Sequence, residues 1–209
     1  MKKIGKLHVL TDTLFQSRFS HQELARMAIR GGADTIQYRQ KSGSTREMIC
    51  IAAQMKQVCS DRGVPLIIND RVDVAIAAKA DGVHLGQDDF PIPLARELLG
   101  QGMIIGASAS NMEEAEKCLL DGADYVGFGP IYPTTSKDDA GSVKGIAGLV
   151  QVVKAVPVPI IAIGGIGLDN VSEILRTGAH GVAVISSVCC QEDPEKATKA
   201  LYQILHGGL

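Results

Sequence analysis

Residues 122–129 read Gly122-Ala123-Asp124-Tyr125-Val126-Gly127-Phe128-Gly129, and the same unit returns at Gly32-Ala33-Asp34 before TIQYR and at Gly178-Ala179-His180 before GVAVIS. Ala80-Asp81-Gly82 before VHLG is a fourth instance with the order altered. Each time an amphipathic stretch runs into the small residues and an apolar run follows at once. A helix ending on glycine, a tight loop and a buried strand give that pattern. Working outward, residues 6–11, 65–69, 103–107 and 159–163 are four more short runs rich in Val, Ile and Leu. They do not strictly alternate, which is expected of strands covered on both faces. Between the runs, Ser20-x-x-Glu23, Ser44-x-x-Glu47 and Asn111-x-x-Glu114 each set a capping residue before an acidic third helical position.

Eight strands alternating with about eight helices predict parallel strands joined by right-handed crossovers. Eight such units favour an α/β fold of the closed (β/α)8 TIM-barrel type, one domain over residues 1–209 with minimal loops. An open doubly wound sheet is the competing arrangement, because one missed strand would change the count. In a barrel, polar residues at strand C-terminal ends face the active-site mouth, and those at N-terminal ends serve the scaffold.

With 45% hydrophobic residues in 209, the chain can bury a sizeable core without metal or disulfides. Its formal net charge of -2 excludes a general electrostatic affinity for nucleic acid or for anionic membrane, so any basic site is local. The longest charge-free apolar stretch, 155–168, is broken by Pro157, Pro159, Gly164 and Gly165, too short and interrupted to span a bilayer. Lys2 and Lys3 precede too short an apolar run for a secretory signal, and the expectation is a soluble cytoplasmic protein. Its five cysteines, Cys50, Cys59, Cys118, Cys189 and Cys190, are odd in number and lack C-x-x-C spacing, which reads as reduced, buried thiols. Packing outranks redox chemistry for the adjacent Cys189-Cys190 pair.

After the second strand, Gln37-Tyr38-Arg39-Gln40-Lys41 alternates so that Gln37, Arg39 and Lys41 share one side, an anion site rather than a solvated loop. Asn69-Asp70 follows the third strand and, by itself, reads as a helix cap. His84-Leu85-Gly86-Gln87-Asp88-Asp89 follows the fourth; Asp89 facing Asp70 makes a hard-cation site of the kind Mg2+ occupies with one or two carboxylates, water and phosphate oxygens. His84 divides evenly between strand-end packing and function. Ser108 and Ser110 offer hydroxyls after the fifth strand. The longest loop, 129–140, carries Thr134, Ser136 and Lys137 and suits a lid over phosphate. Gly164-Gly165-Ile166-Gly167 after strand seven and Ile185-Ser186-Ser187 after strand eight match the backbone phosphate site common in this fold. Two anion sites in one mouth suit one substrate with a diphosphate and another with a single phosphate. That is a phosphate-handling barrel enzyme, a transferase with a diphosphate leaving group.

In order and spacing, QYRQK at 37–41, NDRVDVA at 69–75, GVHLGQDD at 82–89, GFGPIYPTTSKDDA at 127–140, IAIGGI at 161–166 and GVAVIS at 181–186 resemble the thiamine-phosphate synthase family nearly end to end. The resemblance implies condensation of hydroxymethylpyrimidine diphosphate with thiazole phosphate. Gln37, Arg39, Lys41, Asn69, Ser108 and Lys137 would hold the diphosphate, with Lys137, Arg39 and Lys41 as the catalytic charges. Asp70 and Asp89 would bind Mg2+, and His84 would lie beside the pyrimidine. Thr134, Ser136, Gly165, Ile185 and Ser186 would take the thiazole phosphate. Ser110 and Ser136 depart from the family's commonest residues but keep a hydroxyl, so altered affinity rather than lost activity is expected. The mechanism inferred is a Mg-assisted dissociative substitution with no protein nucleophile. The partners expected are these small molecules, neither nucleic acid nor membrane; oligomeric state is left open. Three readings compete: a thiazole tautomerase, which would not need Arg39, Lys41, Asp70, Asp89 and Lys137 together; a phosphate-sugar epimerase, which uses metal-binding histidines and carboxylates at several strand ends, whereas strands two and three here end without histidine; and a non-catalytic binder of thiamine precursors.

Overall fold

The computed structural model describes residues 3–136 and 141–207. Eight strands run in the order β1 (Leu7–Thr11), β2 (Thr35–Tyr38), β3 (Leu66–Asn69), β4 (Gly82–Leu85), β5 (Ile104–Ala109), β6 (Tyr125–Phe128), β7 (Ile160–Ile163) and β8 (Gly181–Val184). Every neighbouring pair is parallel, and β1 pairs with both β2 and β8, closing the barrel. The (β/α)8 barrel therefore prevails over the open sheet. The helices α1 (His21–Arg30), α2 (Thr45–Ser60), α3 (Val72–Ala77), α4 (Ile92–Leu99), α5 (Met112–Leu120), α6 (Gly145–Ala155) and α7 (Val171–Arg176) fill the crossovers. After β8 a one-turn helix, α8 (Ser186–Cys189), precedes α9 (Pro194–His206).

Strand alternation divides the core in two. Outward residues such as Val9, Ile36, Ile68, Val83, Val126 and Val182 pack with Leu24, Met55, Leu149 and Leu201 of the helices. Inward residues Leu10, Ile67, Ile104, Tyr125, Ile161, Ala183 and Ile185 form a second, smaller cluster inside the barrel. This double burial is why the strands lack a polar face. The expected caps form: Ser20 with Glu23 makes a reciprocal capping box, Ser44 accepts from the Glu47 N–H, and Asn111 from that of Glu114.

The recurring Gly-Ala-Asp unit has a second purpose at the barrel floor. Asp34, just before β2, accepts the Lys6 and Leu7 N–H groups at 3.0 and 2.8 Å. Asp81 before β4 accepts the Leu66 N–H at 2.8 Å, and Asp124 before β6 accepts that of Ile105 at 2.7 Å. Before β8 the aspartate is replaced by His180, whose Nε2 reaches the Ile4 carbonyl at 2.8 Å. Each even-numbered strand thus clamps the start of a partner by satisfying backbone groups at the sheet's end. The fourth unit also explains its altered order. Gly32, Gly122 and Gly178 hold φ of 99°, 91° and 84°, and the corresponding left-handed residue before Ala80-Asp81 is Lys79, at φ 52°.

Among the described residues no helix is long and apolar enough to cross a membrane. The five cysteines are free thiols; Cys59, Cys118 and Cys189 are buried, and Cys50 is exposed.

Candidate active site

The C-terminal ends of the strands surround a cavity of about 660 Å3. On one wall, β3 and β4 end level, with Asn69 paired to His84. Beyond that pair the chain turns sharply: Asp70 takes a left-handed backbone, φ 64°, while its N–H still reaches the His84 carbonyl at 2.8 Å. Asp tolerates this region better than most residues, and strain of this kind gathers at functional sites. The turn aims the Asp70 carboxylate at Lys41, Nζ to Oδ2 2.6 Å, and within hydrogen-bonding reach of Asp89. Asp89 is held by the Gly86 N–H at 2.7 Å. Burial pushes the Asp70 carboxyl above the usual range, Lys41 opposes that, and Asp89 pushes the same way as burial. Asn69 and Asp70 do not cap α3, contrary to the simplest reading of the pair; the cap position falls on Arg71, without a side-chain cap bond. Asn69, Asp70, Lys41 and Asp89 all line the cavity.

Gln37 and Arg39 stand apart from Lys41. Both are buried, and neither lines the large cavity. Gln37 faces the small inner space below it, beside His8, Asn69, His84 and Tyr125. Arg39 is ion-paired through Nη1 with Asp12, the residue after β1, and Asp12 also accepts the Leu14 N–H at 2.8 Å. Among the described residues Gln37 Oε1, Arg39 Nε and Ser187 Oγ are buried without a hydrogen-bond partner. Buried polar atoms of that kind need a reason, and a ligand's complementary groups supply one.

On the opposite wall the loop after β6 folds onto the turn after β7. Gly165 has φ 65°, and a Cβ there would lie 2.5 Å from the Pro133 carbonyl oxygen, so only glycine permits both the turn and the approach. Asn170 pins the turn, accepting from the Gly167 N–H at 3.0 Å and donating to the Gly165 carbonyl at 2.9 Å. Ser136 Oγ donates to Ser186 Oγ at 3.2 Å, joining the loop to the start of α8. Thr134, Ser136, Gly165, Ile185 and Ser186 line the same cavity. Lys137, the remaining cation of the expected set, lies outside the described residues.

At the bottom of the cavity His84 Nδ1 meets Tyr125 Oη at 3.0 Å, and His84 Nε2 meets Ser108 Oγ at 2.9 Å. Ser110 is tied to Glu114 through its N–H at 2.7 Å. Sequence reading missed Asp12, Tyr125 and Asn170. For Asp12 the available signal was its place directly after a strand; for Asn170, its position three residues beyond Gly167. Tyr125 opens an apolar strand and carried no signal.

A family model described as thiamine monophosphate synthase matches residues 7–188. The thiamine-phosphate synthase of Salinibacter ruber is 54% identical over 208 residues, covering 100% of this chain and 92% of that protein. That of Methanocella arvoryzae is 47% identical over 199 residues, covering 95% of this chain and 94% of that one. Among solved structures, a thiamine phosphate pyrophosphorylase from Pyrococcus furiosus superposes with a TM-score of 0.89 at 44% identity, covering 97% of this chain and 96% of that one.

Proposed function

The chain belongs to the thiamine monophosphate synthase family and is a transferase of thiamine biosynthesis, and on that premise we propose that it joins hydroxymethylpyrimidine diphosphate to thiazole phosphate, releasing diphosphate and thiamine phosphate. The observation that most supports these substrates is that a single cavity is lined at once by Lys41, Asn69, Asp70, Asp89 and Ser108 and by Thr134, Ser136, Gly165 and Ser186. Two phosphate-bearing molecules would then meet with their reacting carbons between the two walls.

The donors present fit Mg2+. Asp70 and Asp89 offer hard oxygens close together, and the Asp70 carboxyl, raised chiefly by burial and further by Asp89, is one whose ionised form a cation between them would favour. Among the described residues no group of three or more His, Cys, Asp or Glu could hold a metal, so water and phosphate oxygens would complete the shell, as suits this ion. When bound, Mg2+ would neutralise charge gathering on the departing diphosphate.

The protein's own part is to hold and discharge the leaving group. Lys41 and Lys137, with Asn69 and Ser108, would contact diphosphate oxygens, and Arg39 would offer the Nε that lacks a protein partner. Gln37 would contribute its amide from below. The methylene carbon–oxygen bond breaks with its electron pair leaving on the diphosphate. The electron-rich aminopyrimidine carries the positive charge, and the thiazole nitrogen lone pair then forms the new carbon–nitrogen bond. No side chain need act as nucleophile. His84 would lie against the pyrimidine, while Thr134, Ser136, Gly165, Ile185 and Ser186 hold the thiazole phosphate. Fixed charge aimed at a developing charge is worth on the order of 10²–10³ in rate per group.

Purified protein with both substrates and Mg2+, against an EDTA control, should form thiamine phosphate and diphosphate in equal amounts, only with metal. Lys137→Ala should reduce turnover by about 10²–10³. Absence of both products while thiazole phosphate still binds would sink the reading in favour of a tautomerase or a binding protein.

A further inference from the structure

At the cavity floor His84 on β4 and Ser108 on β5 join Tyr125 on β6, which lies beneath them, in a chain of three polar side chains from three adjacent strands. The Tyr125 ring is 1% exposed and occupies the barrel axis among Leu10, Ile67 and Ile161. The chain leaves room for it deliberately: a Cβ on Gly106 would lie 2.1 Å from the phenol Cζ. A Cβ on Gly127 would lie 3.1 Å from His84 Cε1. Two inward strand positions thus forgo side chains so that a phenol and an imidazole can meet. An apolar residue would fill the axis more simply, so the hydroxyl calls for a purpose.

The hydrogen bonding of the three groups admits two arrangements. In one, the phenol donates to His84 Nδ1, His84 Nε2–H donates to Ser108 Oγ, and the Ser108 proton points into the cavity. In the other, Ser108 donates to Nε2, Nδ1–H donates to the phenol oxygen, and the phenol proton must find another acceptor. His84 Nδ1 is the one hydrogen-bond partner of the Tyr125 hydroxyl among the described residues. The second arrangement therefore buries an unmade donor, and that penalty favours the first by about tenfold or more. Burial pushes the phenol's ionisation upward, so it remains a donor throughout the working pH range.

We propose that Tyr125 is a positioning residue: its buried hydroxyl locks His84 in the Nε2–H tautomer, and His84 in turn hands the Ser108 hydroxyl proton to the cavity, where it donates to the leaving diphosphate. The identity of that acceptor rests on the function proposed above; the tautomer does not. A Ser108 that spends its proton on His84 could only accept, and an anion needs a donor.

Long-range proton–nitrogen NMR on protein labelled with 15N-histidine reads the tautomer directly, with the His84→Gln spectrum assigning the resonances. In the wild-type protein at pH 8, His84 should show a bare Nδ1 and a protonated Nε2. Tyr125→Phe, which keeps the ring and its packing, should abolish or reverse that preference. It should also lower kcat about tenfold with KM for thiazole phosphate unchanged, and have no further effect on kcat in a Ser108→Ala background. A protonated Nδ1 in the wild type overturns the proposal. So does an unaltered tautomer in Tyr125→Phe, or losses that add independently in the double variant. If Tyr125→Phe does not fold, the wild-type spectrum alone decides. If the wild type shows no turnover with these substrates, that removes the proposed acceptor and leaves the tautomer measurement standing.

Discussion

Asp124 and Asp70 are acidic residues at opposite ends of the barrel, and replacing each should separate stability from catalysis. Asp124 accepts the Ile105 N–H at 2.7 Å and an Arg96 N–H at 2.8 Å, both partly buried. Truncation to alanine removes these charge-assisted bonds and takes the counter-charge from a largely buried guanidinium, although Arg96 still donates to the Met103, Gly100 and Gly122 carbonyls at 2.6, 3.2 and 3.3 Å. Allowing for those residual contacts, Asp124→Ala should cost about 2–3 kcal/mol. For a chain of this size the melting temperature should fall by roughly 10 °C. Asp70→Asn should behave in the opposite way. The carboxyl is raised chiefly by burial and further by Asp89, so the folded state holds its proton more tightly than the unfolded chain does, and the ionised form at neutral pH is a burden on the fold. Asparagine tolerates φ 64° and carries no charge, while the lost contact to the half-exposed Lys41 is worth little. Its melting temperature without divalent ions should therefore be unchanged or higher, while thiamine phosphate formation drops about 10²–10³-fold. Thermal unfolding and initial rates on both variants suffice. If Asp70→Asn melts as low as Asp124→Ala, or if Asp124→Ala loses turnover at full stability, chemistry has been assigned to the wrong end of the barrel.

Three further outcomes follow from particular residues. His8 and His21 are buried and held neutral, each with its pKa lowered from 6.5 to about 4 mainly by burial, so the unfolded chain binds more protons between those values and stability falls with pH there. The loss should be about 2 kcal/mol per histidine from pH 7 to pH 5 and about 3 by pH 4, checked by urea unfolding of wild type against His21→Gln. A variant retaining the whole acid slope would remove His21 from that account. Asp12→Ala strands the buried Arg39 guanidinium and should cost about 3 kcal/mol or more, with a urea midpoint unchanged from wild type as the contrary result. Lys79→Gly relieves an exposed left-handed lysine and should gain up to about 1 kcal/mol in the same assay, whereas a loss would mean the lysine side chain supports the turn.

The eight strands were legible because each is announced by local chemistry: small residues ending a helix, then an apolar run. Predicted strand bounds such as 103–107 differ from Ile104–Ala109 by a residue or two, as hydrogen bonding rather than composition sets strand ends. Most of the candidate site was legible by one rule, that polar residues just past a strand face the mouth. The rule holds for Lys41, Asp70, Asp89 and Ser186, which line the cavity, as does Ser108 from within the last residues of β5. It says less about depth. Arg39 obeys the same alternation as Lys41, yet it is 4% exposed because Asp12, 27 residues earlier, supplies a buried counter-charge. Tyr125 and His84 lie 41 residues apart and meet only because the barrel closes. No local pattern encodes such a pair.

The acidic residues nevertheless sort themselves by context. Asp34, Asp81 and Asp124 each come immediately before an even-numbered strand, and each uses a carboxylate oxygen on the backbone of a neighbouring strand. Such a carboxylate has its lone pairs committed by the fold. Asp70 and Asp89 follow strands instead, and Asp70 faces a cation and a second carboxylate rather than a backbone donor. A carboxylate before an even-numbered strand is therefore satisfied by folding, whereas Asp70, after β3, keeps acceptor capacity for something that arrives later. In a parallel barrel that distinction is physical, because loops entering strands gather at one end and loops leaving them at the other. The order of aspartate and strand along the chain then marks Asp34, Asp81 and Asp124 as scaffold, whereas after a strand the partners decide: Asp12 is tied to Arg39 and the Leu14 N–H, and Asp70 is not held by a backbone donor among the described residues.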